Sequence, residues 1–381
     1  MLITDLQTFL VPPRWLFLRV DTDEGITGWG EPVVEGRAET VQAAVAEVGE
    51  ALIGEDPLRI EDHWQRLTKA GFYRGGPVLS SAVAGIDQAL WDIAGKALGV
   101  PVYQLLGGAV RDRVRVYSWI GGDDPDEVAD LARAQIEAGF TAVKMNGSGR
   151  MSPIDTVVRT REVVDRLAAV REAIGPEHDV AVDFHGRMSA AMSRRILPLL
   201  EPLFPLFVEE PTVPENGHQL RSLVECSAVP IATGERLYSR WDFREVLPTG
   251  IAVVQPDVSH AGGISEVRRI AAMAEAYGAS LAPHCPLGPI SLASSLQIAF
   301  ATPNLLIQEQ SLGIHYNLGN DLLDYLIDPS PMQFRDGYAF PSTRPGLGIE
   351  IDEKAVARAA EIGHRWRNPV WRDVDGALRE W

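Results

Sequence analysis

Val182-Asp183-Phe184-His185-Gly186 closes a hydrophobic run with a carboxylate and an imidazole, and its reading decides the fold. Two further segments have the same shape, Phe207-Val208-Glu209-Glu210-Pro211 and Ala232-Thr233-Gly234-Glu235-Arg236. Glu209 stands 26 residues after Asp183, and Glu235 stands 26 after Glu209. That interval holds one strand, one helix and their two loops, so the carboxylates recur at one structural phase. In a parallel barrel, side chains at the carboxyl ends of successive strands converge on one mouth. Three converging anions repel unless a cation neutralises them. Oxygen ligands without Cys or His suit a hard divalent ion such as Mg2+. Neighbouring strand residues face opposite ways, so only one of Glu209 and Glu210 enters the mouth, and phase favours Glu209.

Outward from these segments, residues 111–320 alternate short β-rich runs with helical ones, the pattern of βα units and a parallel sheet. Strands are predicted at 114–119, 142–146, 180–184, 207–209, 231–233, 251–255, 280–282 and 305–308. Eight such strands close a barrel. Asp124-Pro125 supplies a cap and a first-turn proline for a helix over 126–138. Residues 1–110 read differently, as strands followed by helices in an α+β unit. Asp23-Glu24-Gly25 between apolar runs signals a hairpin, and helical spacing covers 39–53 and 80–98. Tyr73-Arg74-Gly75-Gly76-Pro77 interrupts them with a mobile loop carrying a phenol and a cation. Pro101 and Gly107-Gly108 mark a boundary near residue 110. The segment 321–381 loses the alternation and is expected to fold back onto the first unit.

Composition excludes several functions. With 52 acidic and 35 basic residues the formal charge is -17, which repels phosphate backbones and anionic membranes. No nucleic-acid or membrane partner is expected. Cys226 and Cys285 give no disulfide framework and fit a reducing compartment. Met1-Leu2-Ile3-Thr4-Asp5 meets an acid before any apolar leader forms, and no run approaches the ~18 apolar residues of a membrane helix. A cytoplasmic protein is expected, and a homo-oligomer.

Around the carboxylates stand further candidates. His185 shares the strand face of Asp183, which leaves two roles open, a fourth ligand or a proton donor. Asp257 ends the sixth barrel strand and His284 the seventh, a pairing in which the carboxylate orients the ring and raises its basicity. Cys285, next to His284, points to the helix layer. Glu309 closes the eighth strand. Lys144 and Asn146 share a face of the second, where a lysine can meet a substrate carboxylate. His63, His178, His218, His260, His315 and His364 lack comparable company, although His260 and His315 fall near the mouth. A proton beside a carboxylate is weakly acidic, because its loss puts a second negative charge on one small group. A divalent cation stabilises that charge while one histidine takes the proton and another assists loss of a β-hydroxyl. The predicted reaction is dehydration of a hydroxy acid.

The chain resembles the mandelate racemase-like group of the enolase superfamily over essentially its whole length. The resemblance rests on Pro12-Pro13-Arg14-Trp15, Gly71-Phe72-Tyr73-Arg74-Gly75-Gly76, Asp183-Phe184-His185-Gly186-Arg187 and Gln255-Pro256-Asp257. It extends through Ser259-His260-Ala261-Gly262-Gly263, Ala282-Pro283-His284-Cys285-Pro286-Leu287-Gly288-Pro289 and Gln308-Glu309-Gln310-Ser311. Gly313-Ile314-His315-Tyr316-Asn317 and Trp366-Arg367-Asn368-Pro369-Val370-Trp371-Arg372 complete it. The resemblance implies an α/β fold, a modified (β/α)7β TIM-like barrel under an α+β capping domain built from both chain ends. It also implies a sugar-acid substrate and Mg2+ on Asp183, Glu209 and Glu235. His284 is implied as the C2 base, Asp257 as its partner, His185 as the acid and Glu309 as a hydrogen-bond stabiliser of the enediolate. Racemising relatives carry a second lysine where this chain has Asn146, which argues against a lysine/histidine racemase. Arg14, Trp15, Tyr73 and Arg74 are implied in loops that cover the sugar chain.

Overall fold

A computed structural model describes every residue except Asp123, His315, Tyr316 and Leu318. The candidate His315 therefore lies outside the described residues. The chain begins with an antiparallel meander, β1 (Ile3–Val11), β2 (Trp15–Thr22) and β3 (Thr27–Gly30), paired in that order. Asp23-Glu24-Gly25 makes the second turn, where Gly25 takes a φ of 76°, the positive value that glycine adopts without steric cost. Three helices cover the meander: α1 (Ala38–Gly49), α2 (Ile60–Lys69) and α3 (Pro77–Leu98). α3 starts on Pro77, whose missing N–H costs nothing in a first turn, and ends at Gly99 in the left-handed region. Leu16, Leu18, Val41, Val45, Ile86 and Leu90 are buried together between sheet and helices.

After the short α4 (Val102–Leu105) come β4 (Val114–Ile120), α5 (Pro125–Glu137), β5 (Ala142–Asn146), α6 (Val157–Ile174), β6 (Asp179–Asp183) and α7 (Ala190–Leu200). β7 (Val208–Glu209), α8 (Leu220–Val224), β8 (Ile231–Thr233), α9 (Arg240–Val246), β9 (Val253–Val254) and α10 (Gly263–Ala276) continue the rhythm. β10 (Ser280–Leu281), α11 (Pro289–Ala301) and β11 (Gln308–Glu309) complete it. The strands pair in the order β10-β9-β8-β7-β6-β5-β4-β11. A parallel bridge from Leu281 to Leu305, just ahead of β11, joins the two ends. Among the described residues a helix follows each of the first seven strands and no barrel helix follows the eighth, which makes the (β/α)7β barrel. The Asp124 cap forms, its carboxylate accepting from the backbone N–H of Asp126 at 3.0 Å and Glu127 at 3.3 Å.

The barrel interior is built in layers. Tyr117, Ala142, Ala181, Phe207, Ala232, Val253, Ala282 and Ile307, each on one of the eight strands or next to its end, pack as an apolar cluster. Side chains alternate along a strand, so the next inward positions are Trp119, Lys144, Asp183, Glu209, Gly234, Gln255, His284 and Glu309. The mouth therefore lies two residues beyond a dry plug.

Past residue 320 the chain first returns to the barrel, where β12 (Tyr338–Ala339) pairs antiparallel with β4. α12 (Glu353–Ile362) follows, and the tail then crosses the first sheet, where His364 Nε2 lies 3.0 Å from the Trp15 carbonyl. The last elements, β13 (Trp371–Arg372) and β14 (Leu378–Arg379), form a hairpin. It rests on the barrel rather than on the first sheet: the Trp371 ring lies 4.7 Å from the Arg187 guanidinium, and Arg379 donates to Ser152 Oγ. Among the described residues no helix is long and apolar enough to cross a membrane.

Candidate active site

Asp183, Glu209 and Glu235 each bring a carboxylate oxygen within 4.8 Å of the others. β6 and β7 set the first two opposite one another, the Asp183↔Glu209 register placing both at the inward layer. Equal spacing does not mean equal phase for the third. The layer position on β8 is Gly234, and Glu235 is one residue past it. The strand has ended at Thr233, and Gly234 turns with a φ of 147°. Its missing side chain matters, because a Cβ there would come within 2.8 Å of the Gln255 backbone nitrogen. That turn brings Glu235 to the other two acids.

These acids fit a cation. Burial pushes the Glu209 carboxyl up to about 8, Asp183 adds to the push and Lys144 opposes it. Burial also lifts Asp183, to about 6, again against Lys144. Glu209 Oε1 is buried without a hydrogen-bond partner. A divalent cation would satisfy that oxygen and relieve the repulsion, and three oxygen donors match a hard ion. Glu210 is buried on the other face, where Arg236 Nε approaches it at 3.2 Å.

Lys144 Nζ lies 2.7 Å from Glu209, 2.9 Å from Glu309 and 3.8 Å from Asp183, and its side chain is 1% exposed. A substrate carboxylate, the partner expected for Lys144, would have to reach an ammonium that already pairs with three acids. Its ammonium is already enclosed by acids from three other strands, because β5 sits beside β6 and the barrel curves β11 around to it. Burial alone would lower its pKa, but Glu209, Glu309 and Asp183 hold it well above the ordinary lysine value. Asn146 is the register partner of Asp183, its Oδ1 buried and unpartnered.

His284 Nδ1 lies 2.8 Å from Asp257 Oδ2, and Nε2 lies 3.1 Å from Glu235 Oε2. Asp257 is fully buried, with its other oxygen accepting from the Ser259 N–H at 2.7 Å. Burial disfavours charge on the ring, yet Glu235, Glu309 and Asp257 together raise its pKa well above the usual value. His185 takes a positive φ of 49°, and its Nε2 sits 3.3 Å from Asp183. Burial lowers its pKa to about 3. Glu309 accepts from the Cys285 N–H at 2.7 Å, while Cys285 Sγ turns outward to Ser291 on α11.

The capping residues divide. Arg14 is buried at the seam, donating to the Pro286 carbonyl at 2.6 Å and pairing with Glu35 at 3.3 Å. Trp15 requires correction: it opens β2 rather than a covering loop, and its fully buried ring packs 6.1 Å from Phe17 and 5.8 Å from Tyr325. The ring lies on the sheet face away from α1–α3, fully buried in the core shared with the barrel, and so offers no open surface to a ligand. Tyr73 and Arg74 lie in the loop before α3, Tyr73 88% exposed and stacked edge-on against Phe72. Reading the sequence missed Trp119, whose ring stands 6.0 Å from His185, and Glu35, 3.2 Å from His260. Trp119 was legible as the residue two past Tyr117 on β4. Glu35 gave no signal, since only the packing of the cap on the barrel brings it there.

Known proteins agree with this architecture. A D-galactonate dehydratase from Pectobacterium atrosepticum is 54% identical and one from Variovorax paradoxus 53%, each over the full length of both chains. A crystal structure of an enolase from Agrobacterium radiobacter, bound to Na and L-malate, superposes with a TM-score of 0.92 at 33% identity and covers all of both chains. A mandelate racemase/muconate lactonizing enzyme from Jannaschia sp. CCS1 gives 0.89 at 31% identity, covering 97% of this chain and all of that one. Residues 10–107 match the N-terminal domain of mandelate racemase / muconate lactonizing enzyme, and residues 127–355 match the enolase C-terminal domain-like family. With its antiparallel cap, its (β/α)7β barrel and carboxylates at the strand ends, the chain belongs to the mandelate racemase/muconate lactonizing enzyme group of the enolase superfamily.

Proposed function

We propose that the protein dehydrates D-galactonate to 2-dehydro-3-deoxy-D-galactonate with Mg2+ held by Asp183, Glu209 and Glu235. The observation that carries this reading is the Asp257–His284 pair beside a buried triad of carboxylates, in a chain more than half identical to D-galactonate dehydratases over full length. A bound Mg2+ supplies the positive charge that offsets a deprotonated carboxylate substrate. The chain's own residues do the rest. His284 Nε2 faces the mouth and takes the C2 proton, while Asp257 holds Nδ1–H and fixes the tautomer. His185, on the opposite rim, is the acid for the departing 3-hydroxyl, a role that requires substrate binding to put a proton on the ring that burial otherwise keeps neutral. Glu309, fixed by Lys144 and the Cys285 N–H, lies beside the developing enediolate. Tyr73 and Arg74 close over the sugar chain and exclude water. The same proposal places the enzyme in the cytoplasm as a homo-oligomer, which sedimentation reads directly.

Incubation of the Mg2+-loaded protein with a panel of aldonates in D2O tests the reading. Galactonate is expected to yield the 3-deoxy-2-keto acid, and His284→Asn to lose both turnover and C2 exchange while still binding the acid. Strong activity on an epimer with none on galactonate would transfer the assignment to that epimer. Absence of exchange with every aldonate would leave a sugar-acid binding protein.

A further inference from the structure

A second set of ligand atoms converges beside the carboxylate triad. Asp257, His260 and His284 each bring one within 4.8 Å of the others. Asp257 Oδ2 lies 2.8 Å from His284 Nδ1 and 3.8 Å from His260 Nδ1. A zinc ion with bonds of ~2.0–2.1 Å holds tetrahedral ligand atoms ~3.4 Å apart; both Asp257–histidine separations lie within about 0.6 Å of that spacing, and the two rings have to close to it from within 4.8 Å of one another. Asp257 and His260 are already fixed on one turn, with the His260 N–H donating to the Asp257 carbonyl at 3.1 Å.

The surroundings are those of a metal site. Each ring sets its other nitrogen near a carboxylate: His260 Nε2 lies 3.2 Å from Glu35, an ion-pair distance without hydrogen-bond geometry, and His284 Nε2 lies 3.1 Å from Glu235. Ser259 N–H holds the free oxygen of Asp257. Carboxylates behind metal-bound imidazoles orient the rings and raise their basicity, and backbone donors behind ligating carboxylates act alike.

We propose that Asp257, His260 and His284 form an inhibitory site for a borderline divalent ion such as Zn2+, separate from the all-oxygen site of Asp183, Glu209 and Glu235. Two imidazoles select Zn2+ over Mg2+, and three carboxylates favour the harder ion, so adjacent sites sort the two metals. Zinc on His284 Nδ1 breaks its bond to Asp257 and ties the ring to a fixed position. The binding claim stands on the geometry alone, and only the inhibition rests on His284 as the base.

Zinc titration of the protein in excess Mg2+, buffered by a coloured chelator, reads the affinity, and zinc-edge X-ray absorption reads the ligands. One equivalent of Zn2+ should bind without displacement by Mg2+, with two imidazole nitrogens at ~2.0 Å. His260→Gln should weaken zinc binding at least tenfold and shift the inhibition midpoint by the same factor, and Glu35→Gln should weaken it by about 10-fold or more. Zinc that Mg2+ competes off, an oxygen-only shell, or unchanged affinity in His260→Gln would place the ion on the carboxylate triad and overturn the proposal. The spectrum of the unsubstituted protein decides the matter even if His260→Gln does not fold. Neither zinc readout depends on turnover, so failure of the assigned reaction would be seen separately.

Discussion

Lys144 holds the mouth together in the absence of a metal. Its ammonium sits among Glu209, Glu309 and Asp183, and removing one partner of a buried ion pair is costly because the others stay charged or must protonate. Lys144→Met should therefore destabilise the metal-free protein by about 3–5 kcal/mol, and Mg2+ should restore much of that loss. Thermal unfolding with and without chelator measures both quantities. An equal fall in Tm under both conditions would contradict this account. Trp15 gives the opposite kind of residue prediction, a packing effect. Trp15→Ala should cost about 3–5 kcal/mol, whereas Trp15→Phe should leave KM unchanged, since the ring meets Phe17 and Tyr325 and no substrate.

Elements contribute through what they hold in place. The hairpin of β13 and β14 covers Arg187, which stands two residues after His185 and donates to the Ser148 carbonyl in the loop after β5. The hairpin thus reaches the loops behind two strands of the mouth, through the Trp371 ring on Arg187 and through Arg379 on Ser152. A cation–π contact of this kind contributes about 0.5–2 kcal/mol. Trp371→Ala is expected to lower kcat/KM several-fold with a Tm change of only a few degrees. Steady-state kinetics beside calorimetry would separate that outcome from simple unfolding, and unaltered kinetics would show that Arg187 stays in place without its cover.

At the scale of the molecule, the cap meets the barrel along α3 and the start of α10. Asp87 of α3 accepts from the Ser265 N–H at 2.9 Å and from its hydroxyl at 2.6 Å. Gly263 admits this approach, since a Cβ there would lie 2.5 Å from Asp87 Oδ2. Burial raises the Asp87 carboxyl from an ordinary 3.8 to about 7, with both Ser265 bonds opposing. Its neutral form stabilises the fold fully below about pH 3.8, and that contribution is lost as the pH rises to about 7. Asp87→Asn cannot ionise, so its stability relative to the unsubstituted protein should grow by ~3–4 kcal/mol between pH 4 and pH 8. Denaturant unfolding at the two pH values reads the difference, and a constant gap would mean that Asp87 is charged throughout.

The sequence by itself determined the barrel, the meander and the acids at the mouth, because these rest on local periodicities. Alternation along β6 and β7 makes Asp183 and Glu209 face inward whatever surrounds them. Asp124-Pro125 starts a helix by its own stereochemistry. The tertiary structure alone decided the company each group keeps. The same inward rule that admits Asp183 admits Lys144, but only the order β5-β6-β7 and the closure onto β11 show which acids surround Lys144. Glu235 arrives through the turn at Gly234, Trp15 disappears beneath Tyr325, and Glu35 crosses from the cap to His260. Such contacts join residues tens to hundreds of positions apart, and no pattern along the chain encodes them, because they depend on how finished elements pack.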